Sequence, residues 1–296
     1  TVTDIGEKTF YSCPALKEAI IRAGTVKKDT LYNCQALTTL IISDNATLDA
    51  SFTAGYSKST LNTVKIGKGA IGDSAFSNCT NLTTVELGDG VTSIGTSAFI
   101  RCTQLPSITI GSGVTSIGKN AFNGCAALTE AVIQSGAIGE SAFNGCISLT
   151  NVTLGNGVTS IGRNAFLKCK ALTSMNIGSS VTTIAQYAFS NCTALKEVYI
   201  AAAEVQNQAF RSAKALKKVT LGDDVVTIPA GAFSSCGMGD RNNPGQLYLK
   251  AGKWTCGGQT ITVAAGQAIS YENENAFFGK ITSANNIATW SAPVNP

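Results

Sequence analysis

VTSIGTSAFIRCTQL occupies residues 91–105 and decides the fold, because nearly the same stretch returns as VTSIGKNAFNGCAAL at 114–128 and VTSIGRNAFLKCKAL at 158–172. Its phenylalanine recurs along the chain at steps of 21–24 residues. Self-similarity at such a period indicates one supersecondary unit copied many times. The anchor position predicts eleven units, and it is occupied by Phe10, Leu31, Phe52, Phe76, Phe99, Phe122, Phe143, Phe166, Phe189, Phe210 and Phe233.

Each unit contains two extended pieces and one compact piece. Residues 82–87 are rich in β-formers and precede a Gly-Asp-Gly turn, so they are predicted to form a short strand. Residues 91–94 form a second, shorter extended piece. Residues 97–105 space their apolar side chains at helical intervals, which predicts a brief helix or 3₁₀ turn. Ser or Asn stands just before the Ala-Phe pair, which favours a helix start there; the examples are Ser97, Asn120, Ser141 and Asn164.

A unit of this size cannot bury its apolar edge alone, so each unit must stack on its neighbours. The expected fold is an α/β repeat, a solenoid of short parallel strands and short helical or 3₁₀ turns. It is predicted to cover residues 1–249. The unrepeated segment 250–296 is predicted to be a C-terminal cap or a degenerate last repeat.

The composition argues against several classes of function. The 296 residues carry a net charge of +4 without a clustered basic stretch, which argues against nucleic-acid binding. The chain has no histidine and its acids lie at variable positions, so no catalytic set is expected to converge and no cofactor is predicted. The chain lacks an apolar run of membrane-spanning length, so membrane association is expected only through an anchor that this chain does not contain. A monomer is expected.

Nine of the ten cysteines follow the anchor position by three residues. Zinc sites use CxxC pairs or Cys/His clusters, and spacings of 21 to 23 residues without histidine do not match them, so no metal is predicted. Disulfides between adjacent coils are allowed by distance, but side chains stacked in equivalent rotamers point the same way. Buried structural thiols are therefore favoured, because cysteine packs as a small hydrophobe. Cys236 and Cys256 are the one pair for which a bridge is considered.

The alternation of the Leu-x-x-Val-x-Leu strand places a column of side chains on the outside of the predicted sheet. Three members of this column are apolar: Ile20, Ile41 and Val132. The others are candidate ligand-binding residues: Lys65, Glu86, Thr109, Thr153, Asn176, Tyr199, Thr220 and Tyr248. Tyr199 and Tyr248, predicted to lie two coils apart, are the best candidates for aromatic anchors, since exposed tyrosines offer rigid contact area. Strands favour Thr and Tyr on exposed faces in any case, so composition alone does not separate binding from structure.

The full spacing of the unit is Ile-Gly-x-x-Ala-Phe-x-x-Cys-x-x-Leu-x-x-Val-x-Leu, with Ile or Met allowed at the last two apolar positions, as in 94–110 and 161–177. This pattern resembles the BspA-like, or Treponema-type, class of leucine-rich repeats over residues 5–249. The resemblance implies a right-handed solenoid of the leucine-rich-repeat type. The chain departs from the class by placing Gly88, Gly111 and Gly155 where a proline often follows the strand.

The resemblance also implies a bacterial protein that is secreted or held at the cell surface. Members of the class are associated with adhesion to host matrix proteins, to epithelium or to other bacteria. The first hypothesis is therefore a non-enzymatic recognition or adhesion module that binds a protein or glycan at a host or bacterial surface. One alternative is a structural spacer without a ligand of its own. The other is a glycan-binding surface protein.

Overall fold

The structure is a computed structural model, and it divides into two compact units, Thr1–Val158 and Thr159–Pro296. The residues that the structure describes are 4–55, 59–202, 204–222, 227–229, 231–237, 246–248, 252–256, 259–263, 268–270 and 290–291.

The first unit is built from parallel strands that pair with the equivalent strand one coil away. Strands β2, β4, β6, β7, β9 and β10 follow one another in one sheet, β8 also pairs with β10, and β1, β3 and β5 form a second sheet. The strands are β1 Asp4–Ile5, β2 Glu18–Ile21, β3 Gly24–Val26, β4 Thr39–Ile42, β5 Ala46–Leu48, β6 Thr63–Ile71, β7 Thr84–Ile94, β8 Ser107–Ile110, β9 Ser116–Ile117, β10 Glu130–Ile138 and β11 Asn151–Ile161, the last of which contains the boundary between the units.

The second unit separates the two strands of each coil into two sheets. One sheet runs β12, β14, β16 and β18 in parallel, and the other contains β13, β15 and β17. Its strands are β12 Ser174–Ile177, β13 Thr183–Ile184, β14 Glu197–Ile200, β15 Glu204–Val205, β16 Lys218–Leu221, β17 Thr227–Ile228, β18 Gln246–Tyr248, β19 Gly252–Cys256, β20 Gln259–Val263, β21 Ala268–Ser270 and β22 Trp290–Ser291.

The pairing changes character near the end of the chain. Strands β19 and β20 form an antiparallel pair, β21 pairs antiparallel with β18, and β22 pairs antiparallel with β17 and β19. A change of strand direction is one way to end a stack of parallel coils, because it interrupts the template for a further coil. The assignment of 1–249 as the solenoid and 250–296 as a cap or degenerate repeat stays a prediction.

The parallel-strand solenoid is confirmed, but the number of coils is slightly lower than predicted. The solenoid makes about nine turns rather than eleven. The difference arises at the ends, because the strand that opens each turn is first seen at Glu18 and the last regular return is at Lys218. The unit of Phe10 contributes only β1 before that first strand, and the unit of Phe233 includes residues outside the described set.

The core is a ladder of phenylalanine rings at the anchor position. In the first unit Phe99 stacks on Phe122 with ring centroids 5.2 Å apart, and Phe122 stacks on Phe143 at 5.1 Å. In the second unit Phe189 stacks on Phe210 at 5.1 Å. All five of these side chains are fully buried. The ring separation follows the strand spacing of ~4.8 Å, since each ring is carried by one coil.

The brief helix or 3₁₀ turn predicted for residues 97–105 and their equivalents differs slightly from the structure, which has successive turns closed by hydrogen bonds between residues three apart, such as those from the amides of Ile100 and Cys102 to the carbonyls of Ser97 and Phe99. In the described part of the chain the regular elements are strands apart from 3₁₀ residues at Gly55, Ser59 and Gly237, and the segments equivalent to 97–105 are hydrogen-bonded turns. The amides of Ser97, Phe99 and Arg101 donate to carbonyls of the next coil at 2.7 to 2.8 Å, rather than to carbonyls one helical turn back. The segment therefore continues the inter-coil ladder, which an α-helix would not do.

Left-handed residues explain why a helix does not form. Ser97 and Arg101 have φ angles of 56° and 57°, so the residues two before and two after the anchor Phe99 leave the right-handed region. The predicted role of Ser and Asn as helix starts is replaced by this conformation, which Asn adopts more readily than most residues. The residues predicted as helix starts, one directly before the Ala-Phe pair of each coil, all have this left-handed conformation, with φ of 56° to 57°: Ser97, Asn120, Ser141 and Asn164.

Candidate functional site

The outer face of the strands that open each coil carries the candidate site. Strands β12 and β14 alternate exposed and buried residues, and in β14 Val198 and Ile200 face the core while Glu197 and Tyr199 face out. Parallel pairing in register brings equivalent outward residues side by side, one strand spacing apart. The outward positions therefore form columns rather than scattered points.

In the first unit the column begins with apolar residues and continues with an ion pair. Ile20 is aligned with Ile41, Ile41 with Lys65, and Lys65 with Glu86. The Lys65 ammonium lies 2.9 Å from a Glu86 carboxylate oxygen, and both side chains are exposed to solvent. An exposed pair of this kind contributes ~0 to 1 kcal/mol to stability. Its main effect is to neutralise this part of the surface.

The remaining predicted residues of the first unit lie farther along the face. Thr109 is exposed in β8 and is aligned with Val132 in β10. Thr153 is exposed in β11. The surface around these residues offers hydroxyl groups and one apolar side chain, without charge in the column itself.

In the second unit four predicted residues form one continuous column. Asn176 is aligned with Tyr199, Tyr199 with Thr220, and Thr220 with Tyr248. Tyr199 and Tyr248 thus stand two strands apart, as predicted from the repeat, although the side chain of Tyr248 lies outside the described set. Tyr199 is 41% exposed, whereas the anchor phenylalanines of the neighbouring coils, Phe189 and Phe210, are fully buried.

A shallow depression of about 340 Å³ surrounds Tyr199. A second one, of about 480 Å³, adjoins it at the beginning of the strands, and Glu197 and Lys218 line both. The Lys218 ammonium lies 3.3 Å from a Glu197 carboxylate oxygen. We call the surface made by both depressions the Tyr199 patch; its outward residues are Thr173, Ser174, Asn176, Lys196, Glu197, Tyr199, Lys218 and Thr220.

Sequence reasoning placed Asn176, Tyr199 and Thr220 on the patch but did not select Lys196. This lysine precedes β14, and its carbonyl accepts hydrogen bonds from the amides of Lys217 and Lys218 at 2.9 and 3.1 Å. It therefore stands at the strand entrance beside the column that was predicted. The sequence signal that could have indicated this position is the presence of lysine at 196, 217 and 218, where the strands of two successive coils begin.

The cysteine column is part of the core. The Cys125 thiol donates a hydrogen bond to the carbonyl oxygen of Phe99 at 3.2 Å, and Cys146 does the same to Phe122 at 3.2 Å. Each acceptor is the anchor residue of the preceding coil, and that carbonyl already accepts an amide of its own coil. Cysteine thus provides a small apolar group that also satisfies a second lone pair. The same bond is made by Cys34, Cys102 and Cys192.

Burial makes these thiols hard to ionise. It raises the pKa of Cys125 and of Cys192 from 9.0 to about 12, because the thiolate would lose its hydration. A nucleophilic cysteine needs a lowered pKa and solvent access, so this column does not have the properties of reactive thiols. The considered bridge between Cys236 and Cys256 involves a side chain outside the described residues.

The raised pKa predicts a loss of stability in alkali. Between pH 9.0 and about 12 the unfolded thiol is deprotonated while folded Cys125 keeps its proton, so the unfolded state binds fewer protons and stability falls as pH rises. We expect Cys125→Ala to reduce this slope by up to ~1.4 kcal/mol per pH unit. Urea unfolding under reducing conditions from pH 9 to 11 measures it. Equal slopes for the two proteins would show that the thiol ionises as freely when folded as when unfolded.

Among the described residues, no three Cys, Asp or Glu side chains gather as a metal site would require. No helix found in the described ranges is long and apolar enough to cross a membrane.

The chain is similar in sequence to several bacterial leucine-rich-repeat proteins of solved structure. A leucine-rich-repeat protein from Bacteroides ovatus is 21% identical, with 76% of this chain and 77% of that chain covered and a TM-score of 0.47. A leucine-rich cell surface protein from Faecalibacterium prausnitzii is 24% identical over 75% and 77%, with a TM-score of 0.37. The leucine-rich-repeat protein of T. pallidum is 22% identical over 68% and 78%, with a TM-score of 0.41. Comparison with curated proteins gave no match.

The repeat itself is recognised at the level of the family. The sequence model described as the BspA type leucine rich repeat region, in six copies, matches residues 1–69, 53–137 and 134–239. These segments cover well over half of the chain. They contain the anchor phenylalanines, the cysteine column and most of the strands whose outer face carries the candidate site. The chain therefore belongs to the family of BspA-type leucine-rich-repeat proteins.

Proposed function

We propose that this protein is a non-enzymatic recognition module, secreted or held at the cell surface, that binds a host or bacterial macromolecule through the outer face of its strands. The observation that carries the proposal is the column Asn176, Tyr199 and Thr220, set in register beside a depression. Strand propensity explains an exposed threonine or tyrosine singly. It does not require an exposed aromatic ring, an amide and a hydroxyl to line one concave surface.

Family membership supports the same proposal. The repeat pattern resembles a class whose members are associated with adhesion, and within each unit the paired strands offer a rigid outer face. Side chains that are fixed on paired strands lose little conformational freedom when a partner binds. A spacer would have no need of the concave patch, and it predicts that the isolated chain binds nothing.

The proposal is tested by measuring adhesion of the purified chain to immobilised host matrix proteins, epithelial cells and bacterial cells. We expect binding to at least one of these surfaces, and at least a tenfold weaker interaction for the triple variant Asn176→Ala, Tyr199→Ala, Thr220→Ala. Truncating a central aromatic anchor commonly has an effect of this size.

A matched control removes an exposed ion pair from the turn segments. Lys119 and Glu140 contact each other at 3.0 Å and lie away from the strands that open each coil. The double variant Lys119→Ala, Glu140→Ala should bind like the unchanged protein. Failure of the unchanged chain to bind any surface in the panel would favour the spacer, and equal binding by both variants would place recognition elsewhere.

A further inference from the structure

We infer that the Tyr199 patch binds an oligosaccharide that carries carboxylate groups, with a sugar ring against Tyr199 and a carboxylate at Lys196 and Lys218. This inference rests on the proposed function and specifies its ligand. Four properties of the patch support it: its size, its aromatic ring, its hydrogen-bonding groups and its charge.

The size of the depression suits a small ligand better than a protein. The depression around Tyr199 has a volume of about 340 Å³ and the adjoining one, which Lys196 lines, about 480 Å³, and each lies within the range of ~300 to 1,000 Å³ that is usual for small-molecule sites. Asn176, Tyr199 and Thr220 occupy three successive strands, so they extend over ~10 Å, which is about the length of a disaccharide. A protein partner would need ~800 Å² of contact on each side.

The side chain of Tyr199 lines the depression and is open to solvent, so an apolar surface is available to a sugar. The Tyr199 hydroxyl lies beside Gly222, where an added Cβ atom would come within 2.9 Å of the oxygen. The side chain therefore leans toward the next coil, where the absence of a side chain at Gly222 leaves room for it. An exposed tyrosine combines an apolar body with a polar tip, as a sugar combines C–H and O–H groups.

The groups beside the ring can bond sugar hydroxyls in both directions. The amide of Asn176 both donates and accepts, and the hydroxyl of Thr220 does the same. Ser174 adds a further hydroxyl at the same depression. Neutral polar groups that can act as donor or acceptor suit a hydroxyl-rich ligand, whose own oxygens also do both.

The charge of the patch selects an anionic sugar over a neutral one. Lys196 and Lys218 carry two positive charges, and Glu197 pairs with Lys218 and carries one negative charge, so the group has a net charge of +1. A carboxylate placed between Lys196 and Lys218 would therefore meet an excess of positive charge.

The inference is tested by calorimetric titration with two acidic probes, trigalacturonic acid and a hyaluronan tetrasaccharide, and with the methyl ester of each. We expect at least one acid to bind, and to bind at least tenfold more tightly than its ester. Tyr199→Ala should weaken binding of that acid at least tenfold, whereas Tyr199→Phe, which keeps the ring, should retain binding within about threefold. Lys196→Ala combined with Lys218→Ala should bring the acid to the affinity of the ester.

Controls of the same residue types lie off the patch. Lys119→Ala removes an exposed lysine that is paired with a glutamate, as Lys218 is, and Tyr187→Ala removes a half-buried tyrosine from a turn segment. Both should bind the probes like the unchanged protein. Circular dichroism and thermal unfolding of every variant establish that it is folded.

The outcomes separate this inference from the broader proposal. If neither acid binds, if the esters bind equally well, or if the lysine variant binds unchanged, the inference is overturned. Adhesion that is lost in the triple variant, without any sugar binding, would overturn the sugar ligand and leave the recognition module standing. If the unchanged protein shows neither adhesion nor sugar binding, the recognition module and its acidic sugar ligand are both overturned.

Discussion

Phe122→Ala is expected to lower the free energy of unfolding by ~3 to 5 kcal/mol, the usual cost of removing a fully buried phenylalanine. Its ring lies between Phe99 and Phe143, with interplanar angles of 5° and 8°. The variant loses the apolar contacts of one ring on both of its faces and leaves a cavity between them. Backbone hydrogen bonds fix the spacing between adjacent coils, so the coils on either side cannot move together to fill the cavity completely.

Urea unfolding measures the effect, and Ile147→Ala provides the control. Ile147 is 48% exposed, so its truncation should change the free energy of unfolding by no more than ~0.5 kcal/mol. A similarly small change for Phe122→Ala would contradict a ladder in which each ring supports its neighbours.

The loss should also spread along the stack. Each coil of a solenoid contacts mainly its neighbours, so weakening one interface lowers the stability of the adjacent coils more than that of distant ones. Hydrogen exchange should therefore accelerate first at the amides of Phe99 and Phe122, which donate to carbonyls of the following coil. Uniform acceleration throughout the first unit would indicate a single cooperative core instead.

The stacking of the coils was predictable because the same pattern of apolar residues recurs many times along the chain. Positions such as Phe99, Cys102 and Leu105 recur together, and an apolar residue that recurs at one position of a repeat has to face its equivalents. The same reasoning predicted the outward column, because strand alternation leaves only one choice of side once the inward residues are known. Lys65, Glu86 and Tyr199 stand where this reasoning placed them.

The turn segments were not predictable from spacing alone. Ala98, Phe99, Cys102 and Leu105 have intervals that suit a helix, but the same intervals suit two successive turns joined by left-handed residues. The choice depends on where the amides find acceptors, and for Ser97, Phe99 and Arg101 these acceptors belong to the next coil. A pattern within one unit does not contain that information.

The patch was only partly predictable for a similar reason. The column Asn176, Tyr199 and Thr220 follows from the repeat, whereas the depression depends on how neighbouring side chains lean. Lys196 precedes the strand, so the alternation of inward and outward residues does not predict that its side chain lies on the same surface as Tyr199.

Gly118→Ala is expected to cost ~3 kcal/mol, at the upper end of what overpacking usually costs. The glycine belongs to the Ile-Gly pair of the repeat, and a Cβ atom there would come within 2.5 Å of the backbone carbon of Gly95 and 2.6 Å of the amide nitrogen of Thr96. Both atoms belong to the backbone of the preceding coil, so neither can move aside as a flexible side chain would. The Gly118 amide also donates to the carbonyl of Ile94 at 2.7 Å, which holds the coils together at this point.

The cause is close approach of two coils rather than the conformation of the glycine, and a second glycine tests that distinction. Gly111 has no atom within 4 Å of an added Cβ, so Gly111→Ala should be neutral or stabilise the protein by ~0.4 to 1 kcal/mol through the unfolded chain. Thermal and urea unfolding of the two variants in parallel give the comparison. If the two substitutions have equal effects, close approach of the coils is not the reason for glycine at position 118. The expected difference would show that Gly118 is needed because a side chain there would collide with the preceding coil.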